Sequence, residues 1–191
     1  MRETVRPALV LVLLIGAPVK GRAQATPSQA TTVAAPPPAT KLEAFKPAAG
    51  SVLTIAYQEM GEISGVSIDA REMRDARGAV VRGVIVEIRE SQYRRERSFI
   101  DADELPELLK GIDALLEVKT NPTTFPNFEV RYTTRGELQI TAFNSGAAIR
   151  YAVQTGRVLK AQSFIDESDM RRLRILLAGA QEKLAAAPAR D

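Results

Sequence analysis

The tetrapeptide Ser-Phe-Ile-Asp occurs twice in the chain, at residues 98–101 and again at residues 163–166. Before each copy, apolar and polar residues alternate as they do in a half-buried strand, and after each copy the apolar spacing becomes that of a helix. A weaker match relates the segment that begins at Tyr57 to the segment that begins at Tyr132. Because the order of the predicted elements is the same around both copies, the sequence predicts an internal duplication.

Four alternating segments precede each helix pattern, which is typical of antiparallel strands with one buried face. They are residues 53–57, 66–71, 84–89 and 94–100 in the first copy, and residues 128–132, 138–142, 149–153 and 158–164 in the second. Apolar stripes at helical spacing run from Leu105 to Leu116 and from Met170 to Leu184. The predicted fold class is therefore α+β, with two antiparallel four-strand units each followed by a helix (ββββα-ββββα), over residues 51–186.

The aspartate that ends each tetrapeptide stands directly before a predicted helix. A carboxylate at this position accepts hydrogen bonds from the free backbone amides of the first helical turn. Glu104 follows Asp101 by three residues and Asp169 follows Asp166 by three, which is the spacing of a capping box. We predict that these four residues are structural caps, and we assign them no catalytic role.

The doubled ββββα order is similar to that of the Whirly and purine-rich-element-binding (PUR) families of single-stranded nucleic-acid binders. The resemblance covers most of residues 52–186 and concerns the order of elements only, so it implies a fold and transfers no functional residue. The lysine-rich signature associated with the Whirly proteins is absent. The chain also looks like uncharacterised bacterial secreted proteins, a resemblance that implies no particular activity.

The first 25 residues have the three parts of a secretory signal peptide. Basic residues stand at Arg2 and Arg6, an apolar run covers residues 8–17, and small residues flank Gln24. An apolar run of this length is about half of the roughly 20 residues that a membrane-spanning helix needs. We therefore expect cleavage after Ala25, a periplasmic or secreted location, and no transmembrane segment in the mature protein.

Two further segments are predicted to lie outside the folded domain. Residues 26–50 are rich in Pro, Ala and Thr and show no apolar period, which indicates a flexible, partly extended linker. Residues 187–191 are expected to form a disordered tail.

Charge and composition exclude several classes of function. Loss of residues 1–25 leaves 22 basic and 22 acidic residues, and this balance argues against nucleic-acid binding, which normally needs a basic surplus. The chain has no histidine and no cysteine, so zinc, copper and iron sites lack their usual ligands and a Ser-His or Cys-His catalytic group cannot form. No cofactor is expected.

The densest basic stretch, residues 93–97, is the candidate binding site. Tyr93, Arg94, Arg95 and Arg97 predict either an anion-binding hairpin, for phosphate, an acidic glycan or an acidic protein face, or a solvated hairpin whose charges protect a sheet edge. The second interpretation is favoured.

Three functions remain open on the sequence. The leading hypothesis is an exported, non-enzymatic binding or structural module whose partner is a protein or polymer of the cell envelope. One alternative is an anion or single-stranded nucleic-acid binder that uses the basic hairpin. The other is a carboxylate-based hydrolase, which requires Asp101, Glu104 or their neighbours to converge in a concave site.

Overall fold

The computed structural model describes residues 37–186. The predicted signal peptide, the part of the predicted linker before Pro37 and the predicted tail lie outside these residues. The described chain begins with a short helix, α1 (Lys41–Ala44), and continues with β1 (Leu53–Ile63), β2 (Val66–Asp75), β3 (Val80–Arg89) and β4 (Arg95–Asp101). A 3-10 turn (Ala102–Glu104) leads into α2 (Leu105–Leu116), which is followed by β5 (Glu129–Thr133), β6 (Gln139–Ser145), β7 (Ala148–Thr155), β8 (Ala161–Ile165) and α3 (Glu167–Ala186).

The α+β class is confirmed, because the strands form two four-stranded antiparallel sheets with orders β1-β2-β3-β4 and β5-β6-β7-β8. We refer to these as the first and second sheets. Consecutive strands are neighbours throughout, as expected where short turns connect antiparallel strands. The first sheet is followed by the 12-residue α2 and the second by the 20-residue α3. None of the helices within residues 37–186 is long and apolar enough to cross a membrane.

One core joins both sheets and the two longer helices. Every second residue of the central strands faces it, as Val84, Val86 and Ile88 do on β3, and α2 and α3 present their apolar stripes to the same volume. Burying each such side chain fully is worth about 1.5–3 kcal/mol. The apolar residues of α2 in this core are Leu105, Leu108, Ile112 and Leu115, and those of α3 are Met170, Leu173, Leu177, Ala180 and Leu184.

The turns of the second sheet cover the edge strand of the first. A Cβ atom on Gly136 would lie 1.9 Å from the Phe99 carbonyl oxygen, so only glycine permits this approach of the β5–β6 turn to β4. The Thr155 hydroxyl donates to the Glu96 carbonyl oxygen at 3.0 Å. These contacts fix how the two sheets meet.

The prediction that residues 26–50 form a flexible linker is wrong for the residues around α1. Leu42 is buried and packs with Met73 and Ile85 on the face of the first sheet that points away from the main core. The Thr40 hydroxyl caps the helix by accepting from the Glu43 amide at 3.1 Å. The prediction failed because it rested on the Pro/Ala/Thr-rich composition of the whole segment and overlooked Leu42, which the sheet buries.

The capping prediction holds for one of its four residues. Asp166 accepts a hydrogen bond from the Asp169 amide at 2.9 Å, as an N-cap of α3 should. Its expected capping-box partner, Asp169, instead accepts from the Ser64 hydroxyl. Neither Asp101 nor Glu104 makes a side-chain cap on the helix that follows it.

Asp101 caps a different helix. Its carboxylate oxygens accept from the amides of Lys41 and Leu42, each at 2.9 Å, and so hold the first turn of α1. The capping prediction failed here because the 3-10 turn places the start of α2 beyond the reach of Asp101. Glu104 was mispredicted for a related reason, since its carboxylate accepts from the Arg135 amide at 2.7 Å and anchors the β5–β6 turn.

Candidate ligand-binding face

The second sheet has one face that no described helix covers. Strand register places its outward side chains in rows across the strands. Gln139 lies opposite Gln154, and Gln154 lies opposite Gln162, which gives a row of three glutamines across β6, β7 and β8. The next row contains Arg131, Thr141, Ala152 and Phe164, and the row after it contains Glu129, Phe143 and Arg150. We call this surface the glutamine–phenylalanine face.

The face is a shallow depression of about 450 Å³ that opens to solvent. Its lining residues come from all four strands of the second sheet, so the rigid hydrogen-bonded sheet itself positions them. They are Glu129, Arg131, Gln139, Thr141, Phe143, Ala152, Gln154, Gln162 and Phe164.

Two phenylalanines lie on this face instead of in the core. The rings of Phe143 and Phe164 meet edge to face, with centroids 6.1 Å apart and planes inclined at 74°. Phe164 is 68% exposed. A pair of aromatic rings held on a polar sheet surface offers an apolar contact to a ligand, and binding sites commonly combine such rings with a few placed polar groups.

Two of the three charged residues in these rows neutralise each other, and the third, Arg150, is exposed in the last row. Arg131 and Glu129 form an ion pair at 2.6 Å. The centre of the face carries amides and a hydroxyl, and each glutamine amide offers two N–H donors and one carbonyl acceptor. The centre of the face is therefore suited to a ligand that is polar, uncharged and in part apolar.

The basic hairpin lies at the junction of the two sheets, and its arginines are paired. Arg94 binds Glu90 at 2.8 Å and donates to the Lys160 carbonyl oxygen at 2.6 Å. Arg97 and Arg95 both contact Glu87, at 2.5 Å and 4.0 Å. Tyr93 is 90% exposed at the tip. The charge that made this stretch a candidate anion site is largely balanced by Glu87 and Glu90, which lie four to ten residues before the arginines that they contact.

The acidic cluster just before α2, formed by Asp101, Asp103 and Glu104, also has a structural role. Asp103 binds Lys41 at 3.0 Å and Arg135 at 2.8 Å, and hydrogen bonds from these two side chains lower the pKa of its carboxyl group. Asp101 and Asp103 line a cavity of about 310 Å³. However, Asp101 is only 2% exposed and its oxygens already hold backbone amides.

A second acidic group was not singled out by the sequence analysis. Glu59, Asp69 and Glu87 lie together on the outer face of the first sheet, beside a cavity of about 310 Å³. Burial, together with the nearby Glu59 and Glu87, raises the pKa of Asp69 despite the opposing charge of Arg71. No group of three or more acidic residues within residues 37–186 is arranged to hold a metal ion.

The sequence analysis also missed the glutamine–phenylalanine face. A signal for it existed, because Phe143 and Phe164 occupy outward positions of strands whose inward positions are already apolar. No model of a known protein family matches the chain, and no curated protein matches it in sequence.

Proposed function

We propose that the protein is an exported, non-enzymatic binding module of the cell envelope, and that its ligand lies on the glutamine–phenylalanine face. The observation that carries the proposal is the Phe143–Phe164 pair, with Phe164 exposed and Phe143 half-buried, beside a row of three glutamines. A ligand that covers an aromatic pair on a solvated surface gains the hydrophobic free energy of removing the rings from water.

The ligand class that fits this face is a neutral glycan segment of an envelope polymer. Sugar rings expose apolar C–H faces that pack on Phe143 and Phe164, and their hydroxyls pair with glutamine amides. The ion pair between Arg131 and Glu129 balances two of the three charged residues in these rows, and the third, Arg150, lies in the last row, away from the glutamines. An open face on a sheet also accepts a long polymer, which an enclosed cavity cannot.

The two alternatives find less support. Anion or single-stranded nucleic-acid binding through the hairpin requires available arginines, whereas Arg94, Arg95 and Arg97 face Glu90 and Glu87. A hydrolase built on Asp101 requires a carboxylate that reaches substrate, and this one is occupied by two amides. We further propose that the two sheet-and-helix units descend from one duplicated ββββα unit, because both sheets have the same strand order.

A direct test measures binding of neutral and acidic polysaccharides, short oligonucleotides and acidic peptides by calorimetry and by thermal shift. A ligand present at 100 times its dissociation constant stabilises the protein by about 2.7 kcal/mol. A neutral polysaccharide should raise the melting temperature, and Phe164→Ala should weaken that binding by at least about tenfold, because an interfacial aromatic anchor is commonly worth 2 kcal/mol or more.

Tyr93→Ala is the matched control, since it removes an aromatic ring from the hairpin that is even more exposed than Phe164. It should leave polysaccharide binding unchanged. Salt-sensitive binding of an oligonucleotide or acidic peptide that Arg95→Ala abolishes and Phe164→Ala leaves intact would support the anion-binding alternative and refute the proposed face.

A further inference from the structure

The edge strand β1 carries a long uncharged segment that the rest of the fold leaves open. Residues 47–58 contain no charged side chain, and the strand residues Thr54 to Glu59 are all exposed. Ile55 and Tyr57 are 48% and 66% exposed. Side chains on both faces of this half of the strand are therefore in contact with solvent.

Helix α3 covers only the second half of β1, and the first half extends beyond it. Helix α3 packs on β1 near Gly61, where a Cβ atom would lie 3.1 Å from Leu176. Met60 and Ile63 belong to the main core. Residues 53–58 pair with β2 from Asp75 to Ala70, and within residues 37–186 nothing else pairs with them.

The other three sheet edges carry the protection that natural proteins give to unpaired strands. On β4, three consecutive charged residues occupy the exposed end, and the Glu96 carbonyl oxygen accepts a hydrogen bond from the Thr155 hydroxyl. On β5, Glu129 and Arg131 provide charge. The edge β8 is only five residues long, and its Gln162 amide donates to Glu90. Among the edge strands of residues 37–186, only the first half of β1, before the bulge at Glu59–Gly61, is an uncharged strand of high β-propensity without such protection.

We propose that the exposed half of β1 pairs antiparallel with the same segment of a second copy of this chain, so that two first sheets join into one eight-stranded sheet across a twofold axis. A symmetric interface must be self-complementary, and this segment is. With Ile55 on the axis, Leu53 lies opposite the second copy's Tyr57, and Thr54 lies opposite its Ala56.

The charges support a second copy as the occupant. In this register the first charged residue of the strand, Glu59, lies opposite Ser51, so no like charges meet. Like charges directly opposite each other destabilise strand pairs. The pairing also covers Ile55 and Tyr57 with apolar partners and satisfies the edge amides and carbonyls, which is how added strands bind a sheet edge.

The first test is the mass of the expressed protein in solution, measured by sedimentation equilibrium at micromolar concentration. The wild-type chain should be a dimer. Ile55→Lys and Ile55→Glu should each raise the dissociation constant at least about tenfold, because each places like charges against each other on the axis. An equimolar mixture of the two variants should restore the dimer. The control Ile175→Lys, which charges an exposed apolar residue on α3, should leave the dimer intact.

A cross-linking experiment tests the register without adding charge. The chain has no cysteine, so Ile55→Cys introduces one thiol, which on the axis faces its own copy at a separation that a disulfide spans. Oxidation should give a covalent dimer, and Ile175→Cys should not. A monomeric wild-type protein, a dimer that Ile55→Lys leaves unchanged, or variants that fail to recombine would each overturn the proposal.

Discussion

Asp101→Asn is the substitution that tests the described architecture most directly. Asp101 joins β4 to α1, a segment about 60 residues earlier in the chain, through two amide hydrogen bonds of 2.9 Å each. Asparagine has the same shape but offers one oxygen and one N–H₂ group. One of the two backbone amides would then face a donor in place of an acceptor.

The cost follows from the charge and burial of this contact. A hydrogen bond to a charged group is worth about 1.5–3 kcal/mol, and a buried amide that loses its partner costs a similar amount. At 2–4 °C for each kcal/mol in a chain of this size, the melting temperature should fall by about 3–12 °C. Release of α1 should also expose Leu42 together with Met73 and Ile85, which it covers.

Two measurements check this expectation. Thermal unfolding gives the loss of stability, and hydrogen exchange reports whether residues 41–45 open selectively. Asp166→Ala is the control: it removes the cap of α3, should cost about 1 kcal/mol, and should leave exchange at residues 41–45 unchanged. A loss of less than about 1 °C in Asp101→Asn, with unchanged exchange around Leu42, would refute the role assigned to Asp101.

Two further predictions concern pH and packing. Hydrogen bonds lower the pKa of Asp103 (from Lys41 and Arg135), of Asp113 (from Arg174), of Glu137 (from Lys160) and of Asp166 (from the Asp169 amide). Since each folded-state pKa lies below its unfolded value, these four carboxylates stabilise the fold above about pH 4, and their contribution is lost as the pH falls through the folded-state pKa values. The free energy of unfolding, measured as a function of pH, should therefore fall in acid. A free energy of unfolding that stays constant down to about pH 2 would contradict this prediction. Gly136→Ala should destabilise by at least about 1–3 kcal/mol in denaturant unfolding, because its methyl group would overlap the Phe99 carbonyl oxygen. Gly179 lies in α3, and a methyl group added there would lie 3.4 Å from the Met60 side chain. Gly179→Ala should therefore be neutral or stabilising. An equal loss of stability in both variants would contradict the packing argument.

The sequence by itself determined the class of fold and most of the core. Alternation at Val84, Val86 and Ile88 and the stripe from Leu105 to Leu115 record which side of each element is buried, because the period of a strand or helix is a local property. The cap at Asp166 was predictable for the same reason, since its partner is only three residues away.

Only the tertiary structure decided what the remaining polar residues do. Asp101 and Glu104 have capping spacing, yet their partners are Leu42 and Arg135, which local patterns cannot reveal. The arginines of the hairpin formed a basic cluster in the sequence, and the register of β3 with β4 places Glu87 opposite Arg97. The glutamine–phenylalanine face exists only because strand register aligns β5 to β8. Charge pairing and surface chemistry depend on residues far apart in the chain, whereas the hydrophobic period depends on residues close together.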